Sequence, residues 1–437
     1  MPNKDIFCNI PWFEININHD GSYDLCGCQN DKIVGTAQGQ VHNIKQIPIA
    51  EYWNGPRLQQ ARLKKLGDVP DSMCKMCQQK ESIGYESNRI KENQKSVIFK
   101  ESFDRSYLQS PNYSHFEYSE KNHGLTDSQI HSLHLNLGNT CNFACRMCSP
   151  FASTRLQTEF LQLGWATPAD KFDHWTNTET GWNNFLNFLQ TQATNIKVIH
   201  IIGGEVEFMP KFEFLIDYFI EAGLADTVNI SFTSNGSVNY TKYFKKLSLY
   251  KRCELGISIE SVDPIGDYIR QGGNINTILN NIQQMNQNRP SNMQLVIRTV
   301  PSLLSLPTYA NLIKWSLELR LPIDNSVLVN PAWQQAVLLP DAIKASVVDR
   351  VTAVLDTLPP ADGRFNNQKD PNSIEVSIRN ECESIIQLAK KSAPVNADVL
   401  RQECAAKLSQ WDQMKRISIR PYSQELYDFL SEYGYHA

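Results

Sequence analysis

Apolar and polar residues alternate through "HSLHLNL", which puts Leu133, Leu135 and Leu137 on one face of an expected strand. After a cysteine-bearing turn come a helix-like stretch from about Phe151 to Leu163 and a helical "WNNFLNFLQTQ". Strand "IKVIHIIGG" and helix "FEFLIDYFIEAG" follow, then strand "VNISFTSNG" and helix "YTKYFKKLSLY". The alternation continues through strand "ELGISIES", helix "NTILNNIQQMNQ", strand "MQLVIRTV", helix "TYANLIKWSLEL" and strand "NSVLVNP". Strands alternating with helices predict a parallel sheet covered by helices, an α/β fold. Six such strands suit an open or partial (β/α)6 barrel better than a closed eight-stranded one. In such sheets reactive groups gather at the carboxyl ends of strands.

The pattern divides the chain into a small cysteine-rich region over 1–91, a linker or lid over 92–130, the α/β array over 131–339 and a helical extension over 340–437. In the extension, "IEVSIRNECESIIQLAKK" and "VLRQECAAKLSQWDQMKR" read as amphipathic helices that pack on the barrel. The stretch from about Glu92 to Leu125 is polar and aromatic, long enough to be either a cover over a substrate opening or a surface wrap. "GWATPADKFDHWTNTETGWN" is irregular in the same way.

Composition changes this picture little. At 437 residues, 41% hydrophobic and 20% charged, the chain has the make-up of a soluble globular protein of two or three units. The net charge of −4 and the lack of a Lys/Arg run give no footprint for nucleic acid. No apolar run approaches the roughly 18 residues of a membrane span. The N-terminal "MPNKDIFCNIPWFEININ" has no basic segment followed by an apolar one, so the expected location is the cytoplasm.

Eleven cysteines in a reducing compartment point away from disulfides and towards metal. Cys253, Cys382 and Cys404 stand alone and read as buried apolar residues. Cys8, Cys26, Cys28, Cys74 and Cys77 lie in the first eighty residues, and Cys141, Cys145 and Cys148 form "TCNFACRMCSP". Three thiolates on a four-iron cluster leave one iron open, whereas structural zinc takes four ligands.

Spacing of three residues and then two, after a strand at the start of a β/α array, resembles the radical S-adenosylmethionine (SAM) superfamily. The resemblance covers about Ile130 to Leu339. It implies that Cys141, Cys145 and Cys148 hold a 4Fe–4S cluster whose fourth iron chelates SAM. "IIGGEVEF" resembles the family's GGE turn, with Gly203 and Gly204 exposing backbone and Glu205 receiving the SAM ammonium. The family often has Pro after this Glu, and here Val206 stands there. Thr233 and Asn235 in "FTSNGS", and Ser258 and Glu260 in "GISIES", match positions that contact the ribose and carboxylate of SAM. Met147 occupies a position often aromatic in the family, with its backbone facing adenine. "NPAWQQAVLLP" resembles the last-strand segment that borders adenine.

Cys8, Cys26, Cys74 and Cys77, with Gly21 between the first two and Pro11-Trp12 after Cys8, resemble the auxiliary-cluster module called twitch, a shorter relative of SPASM. That module normally follows the barrel; here it precedes it. Four thiolates would close a second 4Fe–4S cluster, while a zinc ribbon is the alternative, and Cys28 could replace Cys26. The resemblance implies reductive cleavage of SAM to a 5′-deoxyadenosyl radical and hydrogen abstraction from a substrate. No side-chain nucleophile or base is needed for that first step, so His134 and His200 read as core or supporting groups. Three functions remain open: oxidation or cross-linking of a peptide or protein, dehydrogenation of a small alcohol or sugar, and a non-catalytic iron–sulfur carrier or scaffold. Gly203-Gly204-Glu205 speaks against the carrier. The implied partners are a peptide or small-molecule substrate and an electron donor such as flavodoxin or ferredoxin.

Overall fold

The computed structural model describes residues 7–26, 42–67, 69, 74, 77–78, 81, 87–90, 92–93, 114–167, 173–326, 328–358 and 373–437. Ten strands occur among them: β1 (Glu14–Ile17), β2 (Tyr23–Asp24), β3 (Ser132–Asn136), β4 (Ala144–Cys145), β5 (Val198–Ile202), β6 (Asn229–Ser234), β7 (Arg252–Ser258), β8 (Arg270–Gln271), β9 (Met293–Thr299) and β10 (Ile323–Asn325). The chain forms two compact units, one of residues 1–138, 172–232 and 246–253, the other of 139–171, 233–245 and 254–437. The fold is α/β with mostly parallel strands and a helical carboxyl-terminal part.

In the first unit the strands run in the order β2-β1-β3-β5-β6. β1 pairs parallel with β3, β3 with β5 and β5 with β6, and β2 is antiparallel to β1. The alternation of β3 has its expected effect: Leu133 and Leu135 are fully buried and His134 is not. Burial of each such leucine contributes about 1.5–3 kcal/mol. One row across the strands is polar, Asn16–His134–His200–Ser231, and His200 Nδ1 lies 2.6 Å from Ser231 Oγ. Trp175 and Thr176, in the irregular stretch, close the carboxyl end of β3. There, the Trp175 indole donates to the Asn136 carbonyl at 2.9 Å and the Thr176 hydroxyl to that of Leu137 at 2.8 Å.

Three sequence expectations change. β1 was not among the expected strands, although Ile15 and Ile17 flank Asn16 with the required period. It is only four residues long and belongs to the segment whose cysteines dominated the reading. Within the stretch read as a cover or wrap, Ser114–Lys121 is a helix whose Phe116 packs edge-on against Trp12, with ring centroids 4.9 Å apart. The Trp12 indole also donates to Ser119 Oγ at 2.8 Å, so Trp12 is a core residue. The rest of that stretch, 94–113, lies outside the described residues. The last strand is Ile323–Asn325, earlier than "NSVLVNP". Past Asn325 the chain turns into 3-10 segments at Ala332–Gln334 and Ala336–Leu338, so the apolar residues there pack without strand pairing.

The second unit holds β7, β9 and β10, the β4–β8 ribbon and most of the long helices. β9 and β10 pair in parallel. Side-chain caps fix several helix starts: Ser153 Oγ accepts from Leu156 N, Asn274 Oδ1 from Thr277 N and Ser423 Oγ from Leu426 N. The carboxyl-terminal helices are Asp341–Leu355, Ser373–Lys390, Ala397–Lys415 and Gln424–Glu432. Among the described residues no helix is long and apolar enough to cross a membrane.

Candidate iron–sulfur and cofactor sites

The cysteine loop belongs to the second unit. β4 and β8 form a two-residue antiparallel ribbon with Ala144 opposite Gln271 and Cys145 opposite Arg270. This pairing and the Cys148 N–H bond to the Cys145 carbonyl, 3.1 Å, set the turn that carries the last two thiols. At the other end of the loop, Phe143 N–H points at Cys141 Sγ at 3.4 Å and Asn235 Nδ2 lies 3.8 Å from the same sulfur. Asn235 is held there by donating to Asn142 Oδ1 at 2.8 Å and accepting from Ser237 N at 2.9 Å. The helix Thr154–Gln162 follows directly, and its capping Ser153 also donates to the Phe143 carbonyl at 2.6 Å.

Arg270 supplies the charge. It is buried, with Nη1 3.7 Å from Cys145 Sγ, and its Nε and Nη2 make a bidentate pair with Glu260 at 2.5 and 2.8 Å. The Cys145 and Cys148 thiols share one hydrogen bond. That bond holds the Cys145 proton in place and pushes Cys148 below the usual thiol value, and Arg270 pulls Cys148 the same way. Soft thiolate donors beside a cation, with an N–H aimed at one sulfur, fit an iron–sulfur cluster. Among the described residues no three His, Cys, Asp or Glu side chains converge as ligands of a single ion. A four-iron cluster does not require that, because each thiolate takes a different iron.

Of the other expected contacts in this unit, Thr233 is the last residue but one of β6 and Ser258 the last of β7; both are partly exposed, as is Met147. Glu260 is buried against Arg270.

The first unit carries the GGE turn and the N-terminal cysteines. Gly204 N–H donates to the Gly138 carbonyl at 3.0 Å, fixing the end of β5 to the end of β3. A Cβ on Gly203 would stand 2.9 Å from that same carbonyl, so glycine is needed there for packing of the turn itself. Glu205 is completely buried.

Cys74 and Cys77 lie close enough to Cys8 to push its thiol pKa up, and Lys65 Nζ lies 2.7 Å from Cys74 Sγ. Burial pushes Cys8 up to about 12, against the opposing pull of the Ile10 N–H and Lys65. Arg89, paired with Glu81 at 2.6 Å, is a second cation whose field includes Cys8 and Cys77. Cys26 follows β2 and is partly exposed. Cys28 lies outside the described residues. Buried Arg62 binds the segment after Cys8 to the helix Pro56–Leu66. It donates to the carbonyls of Pro11 at 2.9 Å, Trp53 at 2.8 Å and Gly124 at 3.1 Å. The same helix presents Lys65 to Cys74, so Cys8, Cys74 and Cys77, three thiols with cationic neighbours, again fit an iron–sulfur group.

Sequence reasoning missed Arg270, Lys65 and Arg89. Each acts on a sulfur distant in sequence, except Lys65, and an isolated Lys or Arg carries no local pattern that marks it.

Two sets of thiols, each beside buried or half-buried cations in an α/β chain, define an iron–sulfur protein. Residues 135–300 match the radical SAM superfamily and residues 8–78 match the SPASM iron–sulfur cluster-binding domain. The chain contains a radical SAM domain, with an SPASM-type iron–sulfur cluster-binding domain ahead of it. Its cofactors are accordingly a SAM-binding 4Fe–4S cluster, SAM and an auxiliary iron–sulfur cluster. No curated protein sequence matches the chain. Among solved structures, SuiB of Streptococcus suis bound to S-adenosylmethionine is 12% identical with a TM-score of 0.39, covering 64% of this chain and 60% of SuiB. SuiB bound to its precursor peptide SuiA gives 11% identity and a TM-score of 0.38 over the same shares of the two chains. The enzyme anSMEcpe with bound AdoMet is 14% identical with a TM-score of 0.36, covering 52% of this chain and 60% of that one. The chain thus spans about three fifths of the length of these relatives.

Proposed function

We propose that the protein is a radical SAM enzyme that oxidises or cross-links a peptide or protein substrate, taking electrons from a flavodoxin- or ferredoxin-type donor. The observation that carries this reading is the presence in one chain of a three-thiol loop in a radical SAM domain and a separate cysteine-rich SPASM domain. When bound, SAM and its cluster supply the hydrogen-abstracting chemistry; the protein binds, orients and excludes water. Cys141, Cys145 and Cys148 hold the SAM cluster, and Cys8, Cys26, Cys74 and Cys77 hold the auxiliary one. Asn235 and Arg270 orient the loop and moderate the charge on its sulfurs. Thr233, Ser258, Glu260 and Met147 border SAM. The test is anaerobic turnover with dithionite, SAM and a short precursor peptide encoded beside this gene. The expected product is two hydrogens lighter than the peptide, with one 5′-deoxyadenosine per product. Turnover that releases 5′-deoxyadenosine while every such peptide stays intact would count against a peptide substrate.

In this reading Glu205 receives the SAM ammonium. Glu205→Gln keeps the side chain's size and removes its charge, so SAM should bind more weakly by about 1.5–3 kcal/mol, the worth of a hydrogen bond to a charged group. Iron content should stay the same. Equilibrium binding of SAM to the reconstituted variant measures this, and unaltered affinity would remove Glu205 from the SAM site.

A further inference from the structure

We propose that Asp412, on the carboxyl-terminal helix Ala397–Lys415, is a positioning residue that holds Arg146 and balances its charge, so that this helix sets the reduction potential of the cluster on the cysteine loop. The proposal rests on the reading that Cys141, Cys145 and Cys148 hold that cluster.

Arg146 lies between the second and third of those cysteines, and its side chain and that of Asp412 are both fully buried and ion-paired. The guanidinium sits between two rings, 4.5 Å from the Tyr268 centroid and 4.6 Å from that of Trp411. The Asp412 carboxylate also accepts from the Tyr268 and Tyr435 hydroxyls, each at 2.7 Å, which fixes its position. The loop is gripped at the backbone too: Arg146 N–H donates to the Ile269 carbonyl at 2.8 Å, and Gln334 Nε2 donates to the Arg146 carbonyl at 2.7 Å. Next to Asp412, Trp411 packs in an apolar cluster with Ala144 and Leu156, against which Cys148 rests. Its indole donates to Glu159 Oε2 at 2.7 Å. Asp412 and Trp411 both belong to a helix beyond the segments that match known domains.

A buried ion pair is weak evidence for stability, because an apolar pair of similar volume often packs as well. Its distinctive property here is charge. Arginine stays protonated, and Asp412 is the acid ion-paired with the arginine that directly follows Cys145 in the loop. Without that acid the field would favour the reduced, more negative cluster and raise its potential.

The test is an EPR-monitored redox titration of the anaerobically reconstituted full chain. Asp412→Asn should keep its iron and raise the midpoint so that, at the parent's midpoint, reduced cluster exceeds oxidised about tenfold, which is 59 mV for a one-electron couple. Arg146→Met should move the midpoint the other way, and Arg146→Met/Asp412→Leu should return it towards the parent. Tyr435→Phe, which removes a hydrogen bond but no charge, should leave it in place. Unchanged potentials in the two charge variants, or shifts of one sign in both, would overturn the proposal; if Asp412→Asn does not fold, Arg146→Met and the double variant decide it. Failure of the underlying reading looks different: a Cys141/Cys145/Cys148 triple-Ala variant, which keeps the auxiliary cluster, would still show the particular signal whose midpoint Asp412→Asn moves.

Discussion

Replacing Cys141, Cys145 and Cys148 together by Ala should abolish reductive cleavage of SAM and lower iron from about eight to about four atoms per chain. The three side chains share a loop fixed at several backbone points: the β4–β8 ribbon, the Ser153 bond to the Phe143 carbonyl and the Cys148 N–H bond to the Cys145 carbonyl. Removing the thiols therefore takes away ligands while leaving these backbone restraints in place. Cys148 rests against the Trp411 cluster, so its loss opens a small void at the edge of that core. Near-ultraviolet circular dichroism of the variant should still report packed tryptophans. The functional measurement is 5′-deoxyadenosine formed from SAM and dithionite without substrate. Undiminished product from the triple variant would end the radical SAM reading of this loop. Product lost together with tryptophan ellipticity would point to a collapsed loop, and single Ala variants at Cys141 would then separate ligand from packing.

How much of this was legible in the sequence depended on the range of each interaction. β3, β5, β6 and β9 read directly because their apolar residues recur with strand period within a few positions. Asn235, expected to contact SAM, directly follows β6, and the structure brings its side-chain amide to Cys141. β10 was displaced because "NSVLVNP" has the more apolar composition, yet pairing with β9 begins at Ile323. Arg270 and Asp412 were invisible for a different reason. The first acts on Cys145 across a ribbon of two residues, and the second on Arg146 from 266 positions away, so neither leaves a periodic or local trace. The same holds for Gly203. Sequence assigned it to cofactor approach, while the nearest constraint on it is the Gly138 carbonyl.

Cys74→Ala/Cys77→Ala should remove the auxiliary cluster, lowering iron from about eight to about four atoms per chain, while SAM cleavage persists. Lys65 and Arg89 place positive charge at this site, and Cys8, whose thiol burial pushes up to about 12, must lose its proton to bind iron. With two ligands gone, Cys8 keeps that proton and Lys65 loses its sulfur partner, so no partial cluster is expected to remain. A cluster with four cysteine ligands has no iron free for substrate, which leaves acceptance of the substrate's second electron as its chemical role. The variant should then form 5′-deoxyadenosine at a rate close to the parent's and yield no product two hydrogens lighter. Mass spectrometry of the product, read beside metal analysis, decides between the outcomes. Zinc in place of the second set of irons in the parent would remove the electron acceptor. A parent product of unchanged mass would instead mean a redox-neutral reaction such as epimerisation, with the thiols of the first unit serving to hold the Arg62–Lys65 helix against the segment after Cys8.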